Sequence, residues 1–214
     1  MKKARISGLY AVTPDLADTR RLAALVRAAL EGGCRWVQYR GKAADAVRRR
    51  EQARELRRLT TQWGARLIVN DDVALALEVG ADGAHVGQDD LPAAQARQML
   101  GPDGILGVSC HNRLELAAQA ELAGADYVAF GSFHPSGVKP LAVRADPALL
   151  TGARERIGLP RVAIGGITPE NAPVLIAAGA DAVAVVSALF GAPDVREAAQ
   201  RFCHLFPVTC KTEE

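Results

Sequence analysis

Four stretches decide the fold: Glu31-Gly32-Gly33-Cys34-Arg35-Trp36-Val37, Val79-Gly80-Ala81-Asp82-Gly83-Ala84-His85-Val86, Ala123-Gly124-Ala125-Asp126-Tyr127-Val128 and Ala178-Gly179-Ala180-Asp181-Ala182-Val183. Each reads as the end of a helix, a tight turn and the start of an apolar strand. Glycine supplies the left-handed residue that closes a helix, because it has no Cβ to clash there. The chain then turns within two or three residues, and capping explains the small and acidic residues of the turn.

Working outward from these copies, short apolar runs bounded by turn residues predict strands at Leu9 to Val12, Trp36 to Tyr39, Arg66 to Val69, Ala84 to Val86, Ile105 to Val108, Tyr127 to Phe130, Arg161 to Ile164 and Ala182 to Val186. Helix-period segments follow them, at about 19–31, 44–62, 72–79, 92–100, 112–123, 146–155, 169–178 and 194–205. Helical crossovers force neighbouring strands to run parallel, and eight such units close into a (β/α)8 TIM barrel. A doubly wound open sheet is the structural alternative. No linker or low-complexity tract divides residues 1–214, so one catalytic domain is expected, its last few residues forming a disordered tail.

Composition narrows the function classes. With 214 residues, 49% hydrophobic and 23% charged, the chain supports a folded core and is not a disordered polymer. Its 26 basic and 24 acidic side chains leave +2, too little for a generic polyanion binder, so no nucleic-acid partner is expected. The arginine-rich stretch Val47 to Leu59 reads as a solvated helix face with pairs Glu51 with Arg54 and Glu55 with Arg58. Val174 to Ala192 is broken by Gly179, Asp181 and Ser187, so no membrane partner is expected either. Cys34, Cys110, Cys203 and Cys210 form no metal-like or disulfide-like grouping, and nothing at the start resembles a signal peptide; a cytoplasmic location follows as an expectation.

In a barrel of this kind, chemistry gathers in the loops after the strands. The polar residues obey. Gln38, Arg40 and Lys42 follow the second strand on one face, and a guanidinium fork beside a point charge suits a phosphate or diphosphate. Asn70, Asp71 and Asp72 follow the third, and Gly87, Gln88, Asp89 and Asp90 the fourth. Carboxylates on adjacent strand ends can share Mg²⁺, which takes one or two carboxylates plus substrate phosphate oxygens. Asp71 and Asp90 are the metal candidates, whereas Asp72 reads as a helix cap. Ser109, His111 and Asn112 follow the fifth strand, and residues 131–145 form the longest loop, whose length and Gly137 suit a closing lid. After the seventh strand come Gly165 and Gly166, with Thr168 read as an N-cap and Pro169 as the first helical residue; with Ser187 after the eighth strand they form a second anion cup.

Taken in order, Val37-Gln38-Tyr39-Arg40-Gly41-Lys42, Val69-Asn70-Asp71-Asp72, His85-Val86-Gly87-Gln88-Asp89-Asp90, Gly107-Val108-Ser109-Cys110-His111, Asp126 to Gly131, Pro135-Ser136-Gly137-Val138-Lys139 and Ala163-Ile164-Gly165-Gly166-Ile167 resemble the thiamine phosphate synthase family over nearly the whole chain. The resemblance implies a Mg²⁺-dependent transfer of a pyrimidinylmethyl group from hydroxymethylpyrimidine diphosphate to hydroxyethylthiazole phosphate, with release of diphosphate. It implies that Gln38, Arg40, Lys42, Asn70, Ser109 and Lys139 hold the pyrimidine diphosphate, with Arg40, Lys42, Ser109 and Lys139 assigned to catalysis. By the same resemblance Asp71 and Asp90 bind Mg²⁺, and Ser136, Val138, Gly166, Val186 and Ser187 form the thiazole phosphate site. The chain departs from the family at Val138, where a threonine is usual; the missing hydroxyl is expected to weaken thiazole phosphate binding by about 1 to 3 kcal/mol.

Other functions fit the barrel less well. A thiazole tautomerase would have no use for the diphosphate-binding set. A phosphosugar epimerase or Schiff-base aldolase leaves the acidic pair unexplained. A non-catalytic sensor of a phosphorylated ligand has little reason to keep both metal carboxylates and the leaving-group cations. A homo-oligomer is compatible with the barrel, and the sequence does not set its size.

Overall fold

A computed structural model describes residues 5–135 and 143–206. Eight strands alternate with helices, opening with β1 (Gly8–Val12), α1 (Thr19–Glu31), β2 (Trp36–Tyr39), α2 (Ala46–Gln62), β3 (Arg66–Asn70), α3 (Val73–Glu78), β4 (Gly83–Val86) and α4 (Ala93–Leu100). The second half runs β5 (Ile105–His111), α5 (Leu114–Leu122), β6 (Tyr127–Phe130), α6 (Ala148–Arg156), β7 (Arg161–Ile164), α7 (Ala172–Ala177), β8 (Ala182–Val185), α8 (Ser187–Phe190) and α9 (Val195–Cys203). All neighbouring strands are parallel, and β8 pairs with β1, so the sheet closes into a TIM barrel rather than an open sheet.

The strands are apolar on both faces because both are covered. One face packs against the helices: Val37, Leu67, Ala84, Leu106, Val128, Ala163 and Val183 meet Val26, Leu30, Leu56 and Leu150 in the larger core. The other face fills the barrel with Ile6, Tyr10, Trp36, Ile68, Ile105, Tyr127 and Val162. Helix starts are set by short polar side chains. Asp18, Asp45, Asp72 and Asp194 each accept backbone N–H bonds from the first turn, which satisfies donors a helix cannot pair itself. Asp72 is thus the cap the sequence predicts.

The structure revises four local readings. The turn aspartates cap no helix; Asp82, Asp126 and Asp181 accept the backbone N–H of Leu67, Leu106 and Arg161, at the start of the preceding strand, at 2.8 to 2.9 Å. Arg54 turns to Glu78 on α3, not to Glu51. The helix after β7 begins at Ala172, three residues beyond Pro169. A helix from Pro169 would need an N–H from Pro173 for its fourth-residue bond, and proline has none; starting at Ala172 puts Pro173 in the first turn, where none is required. Lastly, β8 is followed by the four-residue α8, too short to show a helical period in sequence. No helix among the described residues is long and apolar enough to cross a membrane.

Candidate active site

A cavity of about 380 Å³ opens at the C-terminal ends of the strands. Of the residues singled out by sequence, Gln38, Arg40, Asn70 and Ser109 line it from β2, β3 and β5, and Gly166, Val186 and Ser187 from the ends of β7 and β8. Ser136, Val138 and Lys139 lie outside the described residues, as does much of the loop read as a lid.

Arg40 is held from below. Its backbone N–H donates to Thr13 Oγ1 at 2.8 Å, the Thr13 hydroxyl donates to its carbonyl at 3.2 Å, and its guanidinium pairs with Asp15 at 2.6 Å. Thr13 and Asp15 were not anticipated as site residues. The signal that could have found them is their position immediately after β1, at the same end of the barrel as the other candidates.

Lys42, Asp71 and Asp90 gather beside this rim. Lys42 Nζ lies 3.0 Å from Asp71 Oδ2, and Asp90 Oδ2 accepts the Gly87 N–H at 2.8 Å. Burial and the neighbouring Asp90 carboxyl raise the pKa of Asp71 above the usual range, against the opposing pull of Lys42. Asp71 also has a left-handed backbone, φ 63°, a conformation that aspartate tolerates better than most residues. No third His, Cys, Asp or Glu among the described residues joins the pair in a metal-binding group. Two carboxylates pressed together suit Mg²⁺, which draws its remaining ligands from water and phosphate.

On the opposite side, the β6 and β7 loops are joined. Phe133 and His134 donate backbone N–H groups to the Ile164 and Gly165 carbonyls at 3.2 and 3.0 Å. A Cβ at Gly165 would collide with Ser132, and one at Gly166 with His134 and Pro135. The two glycines therefore admit the neighbouring loop as well as exposing backbone to the cavity, and they do not begin a helix. Asn171 fixes the turn, accepting from the Thr168 N–H at 2.9 Å and donating to the Gly166 carbonyl at 3.0 Å. Ser187 is the first residue of α8 and faces the same cavity.

Known proteins resemble this chain over nearly its whole length. The family described as thiamine monophosphate synthase matches residues 9–189. A thiamine-phosphate synthase of Thioalkalivibrio sulfidiphilus is 56% identical over 205 residues, covering 95% of this chain and 97% of that protein. One from Thiobacillus denitrificans is 56% identical over 199 residues, covering 93% and 94%. Among solved structures, a thiamine phosphate pyrophosphorylase from Pyrococcus furiosus superposes with a TM-score of 0.82 at 37% identity, covering 92% of this chain and 94% of that one. A match of this extent leaves one conclusion: the chain belongs to the thiamine monophosphate synthase family.

Proposed function

We propose that the barrel mouth joins hydroxymethylpyrimidine diphosphate to hydroxyethylthiazole phosphate, yielding thiamine phosphate and diphosphate. The bond between the pyrimidine methylene carbon and the diphosphate oxygen breaks, and its electron pair leaves on oxygen. The thiazole nitrogen lone pair forms the new bond to that carbon. The observation that carries this reading is the meeting of cations and carboxylates at one rim: Lys42 on Asp71, Asp90 beside it, and Arg40 lining the adjoining cavity.

Arg40 and Lys42 neutralise the charge that grows on the departing diphosphate, where fixed charges act without reorganising. Asp15 and Thr13 hold Arg40 in place before substrate arrives. Mg²⁺, held by Asp71 and Asp90, would supply further charge neutralisation on the leaving oxygens. Gln38, Asn70, Ser109 and Lys139 complete the pyrimidine diphosphate subsite; Ser136, Val138, Gly166, Val186 and Ser187 form that of the thiazole phosphate. Electron release from the pyrimidine ring supports positive charge on its methylene carbon, so no covalent nucleophile from the protein is needed, and holding two substrates together supplies much of the acceleration.

Incubation of the purified protein with both substrates and MgCl2 tests this. Thiamine phosphate and diphosphate should appear in equal amounts, and omission of either substrate should stop both. Isomerisation of a thiazole phosphate alone would favour the tautomerase.

A further inference from the structure

At the floor of the cavity, which Tyr10 and His85 help to line, the barrel interior carries an unbroken line of hydrogen bonds that ends on two proposed substrate-binding side chains. Gln38 Nε2 donates to Tyr10 Oη at 2.9 Å; Tyr10 Oη lies 2.8 Å from Tyr127 Oη; Tyr127 Oη lies 3.0 Å from His85 Nδ1; and His85 Nε2 lies 2.8 Å from Ser109 Oγ. Tyr10, Tyr127, His85 and Gln38 are all buried. Register explains the meeting. His85 on β4 pairs with Gly107 on β5, which pairs with Tyr127 on β6, and a Cβ at Gly107 would strike both the Tyr127 ring and the His85 imidazole. Glycine at this one strand position opens the space in which the two side chains stack across the barrel.

The line has a direction. An amide nitrogen only donates, so Tyr10 accepts from Gln38 and points its own hydrogen at Tyr127. Tyr127 then points its hydrogen at His85 Nδ1. Burial pushes both phenols well above their ordinary pKa, so each keeps the hydrogen this order needs. An imidazole that accepts at Nδ1 carries its proton on Nε2, and that N–H donates to Ser109. The Ser109 hydroxyl hydrogen is left to point into the cavity. In the opposite order Tyr10 would accept from both Gln38 and Tyr127, and its own buried hydrogen would have no acceptor among the described residues.

We propose that Tyr10, Tyr127 and His85 are positioning residues: the two phenols make His85 Nδ1 an acceptor, which leaves the ring N–H at Nε2, and so turn Ser109 into a hydrogen donor toward an anionic oxygen of the bound diphosphate. The proposal rests on the function assigned above and adds three residues to it. It also gives a reason for a polar line inside an otherwise apolar barrel, because a hydroxyl that is free to rotate presents a lone pair to an anion as readily as a hydrogen.

Nitrogen-15 NMR of histidine-labelled protein reads the tautomer directly, with His85→Gln identifying the signal. The expected result is a protonated Nε2 and a bare Nδ1 in the wild type, and a mixture of tautomers in Tyr127→Phe. Kinetically, Ser109→Ala should lower kcat about 100-fold and Tyr127→Phe about tenfold, with KM for the thiazole phosphate unchanged. The double variant should be no slower than Ser109→Ala, because both substitutions remove one interaction. A proton on Nδ1 in the wild type overturns the proposal, as does a double variant whose losses multiply. The wild-type tautomer decides alone if Tyr127→Phe does not fold. Absence of turnover in the wild type would instead count against the assigned function, while the tautomer still decides the relay.

Discussion

Asp71 combines a left-handed backbone with a carboxyl that resists ionisation, and both facts shape how it is best tested. Alanine at φ 63° would add backbone strain to the loss of charge, whereas asparagine keeps the conformation and the shape. A carboxyl whose pKa is raised on folding binds more protons folded than unfolded. Its contribution to stability is therefore full below the unfolded pKa and is lost as pH rises through the folded one. Without divalent cation, the stability of the wild type relative to Asp71→Asn should fall as pH rises from the normal carboxylate range through the raised pKa of Asp71. Urea melts of both proteins across that range check the sign. The Asn variant should also lose Mg²⁺-dependent turnover. Two cysteines give a second residue-scale prediction. Burial pushes the Cys34 and Cys110 thiols up to about 12, so at pH near 8 neither offers the thiolate that alkylation needs. Mass spectrometry after iodoacetamide treatment should find both unmodified in the folded protein and modified in urea; rapid labelling of either in the folded state would contradict this packing.

Between elements, the turn aspartates act as staples. Asp82 accepts the Leu67 N–H and pairs with Arg57 and Arg66, both at 2.6 Å, while its side chain is only 8% exposed. Asp126 does the same for Leu106 with Arg97, and Asp181 for Arg161. Three of the four repeats that revealed the barrel therefore carry a tie from one strand to the one before it. Sequence reading saw only the cap, because the partner N–H lies 15 to 20 residues away and no local pattern marks it. Asp82→Ala leaves that N–H and two guanidinium groups without their acceptor, a loss of about 2 to 3 kcal/mol for charged hydrogen bonds. The melting temperature should drop by roughly 4 to 12 °C for a chain of this size. Because Asp82 lies at the N-terminal end of the barrel, kcat/KM of the folded fraction should not change. A drop in kcat/KM with unchanged stability would contradict the role of staple.

At the scale of the whole molecule, the barrel was legible because the glycine turns and apolar runs alternate without interruption, and a parallel sheet leaves few other topologies. The candidate site was legible where residues sit near or just past the C-terminal end of a strand, as Arg40, Asn70 and Ser109 do, all three lining one cavity. It was not legible where partners come from separate strands. Asp15 reaches Arg40, and Tyr127 reaches His85, only through the closure and register of the barrel. Closure also makes a thermodynamic prediction. The cations come from the end of β2 and the carboxylates from the ends of β3 and β4, so a ligand that bridges them holds the folded barrel and has no comparable site in the unfolded chain. Diphosphate supplied with Mg²⁺ at about 100 times its dissociation constant should stabilise the protein by about 2.7 kcal/mol, raising the melting temperature by roughly 5 to 11 °C. Diphosphate alone meets the Asp71 and Asp90 charge unneutralised, and Mg²⁺ alone lacks the phosphate oxygens, so each should give a much smaller rise. Arg40→Ala should reduce the joint effect while leaving the Mg²⁺ response intact. A full rise with diphosphate in the presence of a chelator would show that the acidic pair holds no metal for this ligand.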